Sequence, residues 1–427
     1  MNILLINPNR FQNPPVVPIG LEYIASSLDS LEKHKIDLLD LTFVTEPIEV
    51  VQKKIESKSY DIAAISVRNI DDVIFNDNKF YLPEIKALIE IIKTKNIKII
   101  IGGSACDADP QGLFEYLQPN FLIYGPGEVA ICDLLSKIER RDLIDPIING
   151  WKYGINKDLR RNPMKYFDYY QYSIRGGIFG FQIQAGCEGK CHFCFEHSKP
   201  LMFRNPDAVT NDIIEIARSG HRDFHLSDSE FNQDLSASKN FLKVLQNKLK
   251  WAGQSIRWAL YMKPKPIDQQ LFELLKATGA NLITLSCESS KTQQARNGYS
   301  LQDIQFFLDL ANDYGISIAI DMLTGAPDEL MEDLERIIRF FKINRPKRVN
   351  INPVFRIYRN TMLFSILQHN LEQEKSKIIN YENFEQNPLF PAFYRKFSDS
   401  EILELITDDP IFKIEGTEKG VNYQRLI

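Results

Sequence analysis

Gly186-Cys187-Glu188-Gly189-Lys190-Cys191-His192-Phe193-Cys194 places three cysteines at C-x-x-x-C-x-x-C spacing. The apolar run Phe179 to Ile183 directly precedes it and has the length and composition of a strand. A loop at that strand's C-terminal end therefore presents three soft thiolates, ligands suited to an iron–sulfur cluster or to zinc. Both readings are open on these residues alone. A four-iron cluster on three cysteines keeps one iron free for another ligand. Alternatively His197, three residues after Cys194, completes a closed zinc site of three cysteines and one histidine.

Working outward toward the N-terminus, short apolar runs alternate with helical patterns. Strands are expected over 2–6, 36–41, 62–67, 97–101 and 121–124, and helices over 21–31, 48–55, 83–93, 111–117 and 128–138. This alternation predicts an α/β fold, a parallel, doubly wound (Rossmann-like) sheet over 1–140 whose ligand lies beyond the strands' carboxyl ends. The first turn, Asn7-Pro8-Asn9-Arg10-Phe11, has no G-x-G-x-x-G, so no nicotinamide or flavin dinucleotide is expected. Residues 141–175 hold Asp145-Pro146, Asn149-Gly150 and Asn162-Pro163 without a sustained period, which predicts a packed linker.

Toward the C-terminus the alternation resumes. Strands are expected over 179–184, 223–226, 255–260, 282–287, 317–323 and 348–351, separated by helices over 207–218, 236–248, 267–277, 301–314 and 329–341. Six strands with helices between them predict a partial (β/α)6 barrel over 176–352, with the cysteine loop after its first strand. A small extension, 353–427, is polar and aromatic and carries no readable motif.

Loop and barrel together resemble the radical S-adenosylmethionine (SAM) superfamily. A zinc ribbon has no reason to open a barrel, so this context favours the cluster. The resemblance implies that Cys187, Cys191 and Cys194 bind a catalytic 4Fe–4S cluster whose open iron takes the amino and carboxylate groups of SAM. Phe193, the aromatic residue before the last cysteine, belongs to the same pattern. Leu226-Ser227-Asp228-Ser229-Glu230 is similar to the motif that holds the SAM amino group, with Asp228 and Glu230 as its carboxylates. Ser286 and Glu288 end the fourth strand as the family's ribose contact does, and Gly325 lies in a loop similar to its glycine-proline-glutamate turn.

Three loops of the first 140 residues resemble the cobalamin-binding domain that precedes many radical SAM enzymes. They contribute Gly20 in the proline-glycine opening of the first helix, Gly102 and Gly103 after the fourth strand, and Gly127 before the last helix. The histidine-bearing motif of classical cobalamin proteins is missing, since His34 precedes a strand instead of following one. Arg68, after the third strand, is placed to lie under the corrin; otherwise it pairs on the surface with Asp71 or Asp72. The resemblance implies a cobalamin-dependent radical SAM methyltransferase acting on an unactivated carbon through a 5′-deoxyadenosyl radical and methylcobalamin. The same architecture also serves rearrangement or cyclisation without methyl transfer, or radical SAM chemistry beside a domain that no longer binds cobalamin.

Composition narrows the partners. A net charge of -5 argues against a dominant nucleic-acid-binding face. No apolar run reaches a membrane span, and Asn2–Ile6 is cut short by Asn7-Pro8, unlike a signal peptide. Six cysteines, three of them in one loop, do not read as a disulfide framework, so the reducing cytoplasm is expected. Cys106, Cys132 and Cys287 are isolated and read as small apolar residues, which argues against an auxiliary cluster. The expected partners are a small-molecule or peptide substrate and an electron donor such as flavodoxin or ferredoxin. Arg356 and Arg359 extend past the sixth strand and are candidates to clamp a substrate carboxylate or phosphate.

Overall fold

Consecutive burial, not alternation, marks the first strands. Ile3, Leu4, Leu5 and Ile6 are all fully buried, as are Ile99 and Ile101. A strand with no wet face belongs to a parallel sheet covered by helices on both sides. The computed structural model describes residues 1–415. Its first part runs β1 (Asn2–Asn7), α1 (Ile19–Asp29), β2 (Lys35–Asp40), α2 (Pro47–Ser57), β3 (Ile62–Ser66), α3 (Leu82–Lys93), β4 (Lys98–Gly102), α4 (Pro110–Leu117), β5 (Phe121–Tyr124) and α5 (Glu128–Arg140). There follow β6 (Ile147–Asn149), α6 (Tyr169–Ser173), β7 (Phe179–Phe181), β8 (Gln184–Cys187), β9 (Lys199–Phe203) and α7 (Pro206–Arg218). The sheet order is β2-β1-β3-β4-β5-β6, all pairs parallel. The order reverses at β1 and β3, the kind of crevice where such sheets bind ligands.

The later part runs β10 (Asp223–Leu226), α8 (Leu235–Ala252), β11 (Arg257–Met262), α9 (Gln269–Ala277), β12 (Ala280–Glu288), α10 (Lys291–Arg296), α11 (Leu301–Asp313), β13 (Ser317–Leu323), α12 (Met331–Asn344) and β14 (Arg348–Asn352). It ends with β15 (Phe355–Arg356), α13 (Met362–His369), α14 (Leu371–Glu374), β16 (Ile378–Ile379), α15 (Tyr381–Gln386), β17 (Phe393–Tyr394), α16 (Asp399–Ile406) and β18 (Phe412–Ile414). Strands β10 to β14 pair in sequence, each parallel to the next, and β18 adds beside β14. This is the winding of an open β/α barrel.

Two units emerge from the contacts. The first comprises Met1–Asp72, Lys79–Phe181 and Met202–His221; the second takes Val73–Asn78, Gln182–Leu201 and the chain from Arg222 on. Several boundaries differ from the sequence expectation. The stretch 141–175 is not a mere linker: β6 pairs parallel with β5, and Arg161 is buried against Glu22 of α1 at 3.1 Å. Tyr172 also donates to Asp40 at 2.7 Å. A three-residue strand between Pro146 and Gly150 is too short to show a period. Helix α7 likewise belongs to the first unit, where its Asp212 meets Arg160 at 2.8 Å. The expected strand 179–184 is two strands, and β8 pairs with β9 in a separate ribbon. The extension contributes β18 and the antiparallel sheet β15-β17-β16, around which Phe355, Ile357, Leu363 and Tyr394 form an apolar cluster.

Candidate active site

The ribbon of β8 and β9 starts the cysteine loop. Gly186 takes φ +91°, and a Cβ there stands 2.1 Å from the Pro200 carbonyl oxygen, so only glycine lets β9 come this close. Cys187 ends β8, and the Cys194 N–H closes the turn on the Cys191 carbonyl at 3.4 Å. The thiols of Cys187 and Cys191 converge on Gly189, lying 3.2 and 3.9 Å from where its Cβ would be. Burial raises all three thiols above their ordinary range, Cys194 to about 12, with neighbouring negative charge adding to the effect. Three desolvated thiols this close ionise together only beside a cation, the condition a metal cluster supplies. Backbone N–H groups of Gly189 and Glu196 already point at the Cys187 and Cys194 sulfurs, at 3.3 and 3.4 Å. Among the described residues, no three His, Cys, Asp or Glu side chains are gathered tightly enough for a single metal ion. His197 instead stands 2.8 Å from the Ser198 hydroxyl through its Nδ1.

Strand ends surround this loop with carboxylates in different states. Asp228 is buried and accepts from the backbone of Ile183 and Gln184 at 3.0 and 3.3 Å, which pins the start of β8. Glu230 keeps part of its side chain accessible, yet its Oε2 is buried and has no hydrogen-bond partner. Burial raises its carboxyl to about 8, against the lowering effect of the Ser286 hydroxyl and the Lys263 charge. A buried carboxylate oxygen without a donor is a place for an incoming cation. Glu288 is 4% exposed and fully engaged: Tyr299 Oη donates at 2.9 Å and Asn297 Nδ2 at 3.0 and 3.2 Å. Glu329 clasps the loop of Gly325, accepting from the backbone of Gly325 and Ala326 and from the hydroxyls of Thr324 and Ser289. Phe193 leans on Phe355 of the extension, ring centroids 5.2 Å apart. His192 beside it is 1% exposed, and burial lowers its imidazole to about 4.

The family model of the radical SAM superfamily matches residues 181–341, the stretch that holds these strand ends. Residues 181–341 are a radical SAM domain. Across most of its length the chain is similar to a tryptophan 2-C-methyltransferase of Streptomyces laurentii, 22% identical over 78% of this chain and 68% of that protein. Its fold matches the radical SAM methyltransferase TsrM of Kitasatospora setae, solved with cobalamin and a [4Fe-4S] cluster. The TM-score is 0.85 at 20% identity, over 96% of this chain and 92% of that one. It also matches the cobalamin-dependent SAM radical enzyme OxsB, TM-score 0.72 at 16% identity, over 95% and 66% of the two chains.

Within the radical SAM domain, Asn297 and Tyr299 are the neighbours of Glu288 that sequence reading missed. Both follow the short helix α10, and nothing in their spacing shows that they turn back on β12. Gln233 is a further omission; its Oε1 accepts from the Glu188 N–H at 2.8 Å and so holds the cysteine loop from β10's side. Arg356 is corrected: it is buried and donates to the carbonyls of Ile357, Leu389 and Ala392, so its guanidinium braces the extension. Only Arg359 is exposed and open to a substrate anion.

The glycines of the first unit divide into two kinds. Gly103 takes φ +110°, and its Cβ would stand 2.4 Å from the Val67 carbonyl, so its own chain demands glycine. Gly127 lets α5 approach Ile24 of α1, 3.0 Å from a Cβ. Gly20 has nothing within 4 Å and Gly102 only the Ile123 carbonyl at 3.7 Å, so these two border open space at the carboxyl ends of the strands. Arg68 is exposed at a cleft of about 430 Å³ lined by the turn after β1, the end of β3 and one face of α3. Open space at two glycines and a free cation beside β3 fit a bulky group lying across the strand ends. The donor set includes no histidine for a metal in that group, His34 being placed against the N-terminus and Glu139.

Proposed function

We propose that the chain is a cobalamin-dependent radical SAM methyltransferase that methylates a carbon bearing no acidic proton. One observation carries the reading: the thiols of Cys187 and Cys191 converge on Gly189, with Cys194 near enough to couple to both electrostatically, among strand ends that present the unpartnered Glu230 Oε2 and the oriented Glu288. When bound, the cluster supplies the electron that turns SAM into methionine and a 5′-deoxyadenosyl radical, and cobalamin supplies the methyl group. Cys187, Cys191 and Cys194 hold the cluster, and Glu230 receives the SAM ammonium. Glu288 accepts from ribose hydroxyls, which a carboxylate does bidentately. Asp228 and Ser286 fix β8 and Glu230. Gly20 and Gly102 would border the cobalamin, Gly103 and Gly127 shape the loops of that site, and Arg68 would offer it a cation from the cleft beside β3. The chain's work is placement and exclusion of water, with no proton transfer asked of these residues.

The relatives support methyl transfer by their named activities, and a tryptophan methylase among them makes a small aromatic amino acid the first substrate to try. A flavodoxin or ferredoxin is the proposed electron donor, and the cytoplasm the proposed setting. Among the described residues no helix is long and apolar enough to cross a membrane. The test is turnover of anaerobically reconstituted protein with methyl-labelled SAM, first with tryptophan and then with a panel of amino acids. Labelled product should accompany S-adenosylhomocysteine and 5′-deoxyadenosine. Modified product without the label overturns methyl transfer in favour of rearrangement or cyclisation.

A further inference from the structure

Asn297 joins two parts of the radical SAM domain that the sequence holds far apart. Its backbone N–H closes α10 on Gln293 at 3.0 Å, which fixes where the side chain starts. Its Oδ1 accepts from the Lys190 N–H at 3.0 Å, inside the cysteine loop, and lies 3.9 Å from Cys191 Sγ. Its Nδ2 donates to both oxygens of Glu288 at 3.0 and 3.2 Å. The two ends leave the amide one orientation. Turned over, it would set an NH2 against an N–H and an oxygen against a carboxylate. Tyr299 holds only Oε2 of Glu288, so Oε1 has its position from Asn297.

We infer that Asn297 is a positioning residue that sets Glu288 against the cysteine loop, so that one side chain places both the SAM-binding carboxylate and the cluster-bearing turn. This rests on the cluster and SAM reading above. It adds that the two sites are mechanically coupled through a neutral amide whose ends do different things. Asn297→Asp retains the acceptor for Lys190 but sets a second carboxylate against Glu288. Asn297→Ala removes both ends.

The experiment uses full-length protein reconstituted anaerobically, and reads iron content, the paramagnetic resonance spectrum of the reduced cluster without SAM, and the dissociation constant for SAM. Both variants should bind SAM about tenfold or more weakly, since a hydrogen bond to a charged group is lost. Only Asn297→Ala should change the spectrum. Iron loss in that variant is the extreme form of the same loop effect, and Asn297→Asp then still reports on SAM. SAM affinity within twofold of wild type in both variants overturns the inference. So does a spectrum that Asn297→Ala leaves unchanged, or that both substitutions alter equally. Wild-type protein that assembles no four-iron centre overturns the functional reading, and this inference with it.

Discussion

The two units use their chemistry-bearing residues in opposite ways. In the second unit, side chains converge around a buried carboxylate oxygen with no hydrogen-bond partner, Glu230 Oε2, beside Asp228 Oδ1, Glu288 and Glu329, which accept from named donors. In the first unit the buried glutamates are each paired with a buried cation. Glu22 meets Arg161 and Tyr169, and Glu128 meets Arg204 and the Asn156 N–H. Glu128 follows Gly127 in the loop that resembles a cobalamin contact, yet its carboxylate serves the fold. A motif match thus means different things in the two places. Around the cysteines it marks atoms that await a ligand, whereas in the first unit half of it marks backbone that had to turn.

The largest effect that can break this contrast is at the cysteines. The triple variant Cys187→Ala, Cys191→Ala, Cys194→Ala should lose all of about four irons per chain, read by metal analysis after anaerobic reconstitution. Full iron retention would remove the second unit's claim to the chemistry. In the first unit the matching test is Arg204→Ala. It strips the partner from buried Glu128 and the cation from the Tyr23 ring, whose centroid lies 3.6 Å away. Breaking one side of a buried pair costs about 3–5 kcal/mol, so denaturant unfolding should show a marked loss. Stability within 1 kcal/mol of wild type, on the scale of exposed pairs, would show that this network does not hold the unit together.

Glu230→Gln sharpens the contrast from the other side. If Oε2 receives the SAM ammonium, losing its charge should weaken SAM by roughly 10- to 100-fold, measured as a dissociation constant. Because Oε2 has no hydrogen-bond partner to lose and glutamine keeps an oxygen for the Ser286 hydroxyl, the change should not destabilise the unliganded protein. The pH dependence follows from the raised folded pKa of about 8 against an ordinary 4.5. The folded state holds this proton more tightly, so its stabilising effect is complete below about 4.5 and lost as pH rises through about 8. Glu230→Gln should flatten that fall relative to wild type. Glu22, raised to about 7, titrates nearby, which is why the difference between the two proteins is the quantity to plot. Equal slopes would show that Glu230 is ionised in the free enzyme.

Much of the architecture was legible because long strands and helices carry a period. The first five strands match expectation to within a residue at each end, and the cysteine loop is readable from spacing alone. What was not legible is set by partners distant in the chain. β6 and β18 are three residues each and show no period; they exist because β5 and β14 offer an edge. Arg356, like Arg359, follows an aromatic residue, yet folds back on three carbonyls because the loop around Leu389 lies beside it. Asn297 reaches the cysteine loop across more than a hundred residues, a pairing no local pattern announces.

The smallest effect decides the most about cobalamin. Gly20 stands at the second position of α1, exposed, with nothing within 4 Å of a would-be Cβ. Alanine there meets no atom and suits a helix better than glycine, so Gly20→Ala should leave stability unchanged or raise it by up to about 1 kcal/mol. Gly103→Ala is the control. Its positive φ and its 2.4 Å approach to Val67 make it destabilising whether or not a ligand exists. If a corrin or its tail lies against the opening of α1, the Gly20 methyl occupies that space, and cobalamin retained after gel filtration should fall while thermal unfolding stays at the wild-type midpoint. Retention unchanged in a stable Gly20→Ala protein would remove this glycine from the binding surface and leave Gly102 and Arg68 to carry it. Because the variant separates ligand loss from fold loss, it tests the first unit's resemblance at a position where its own packing gives no reason for glycine.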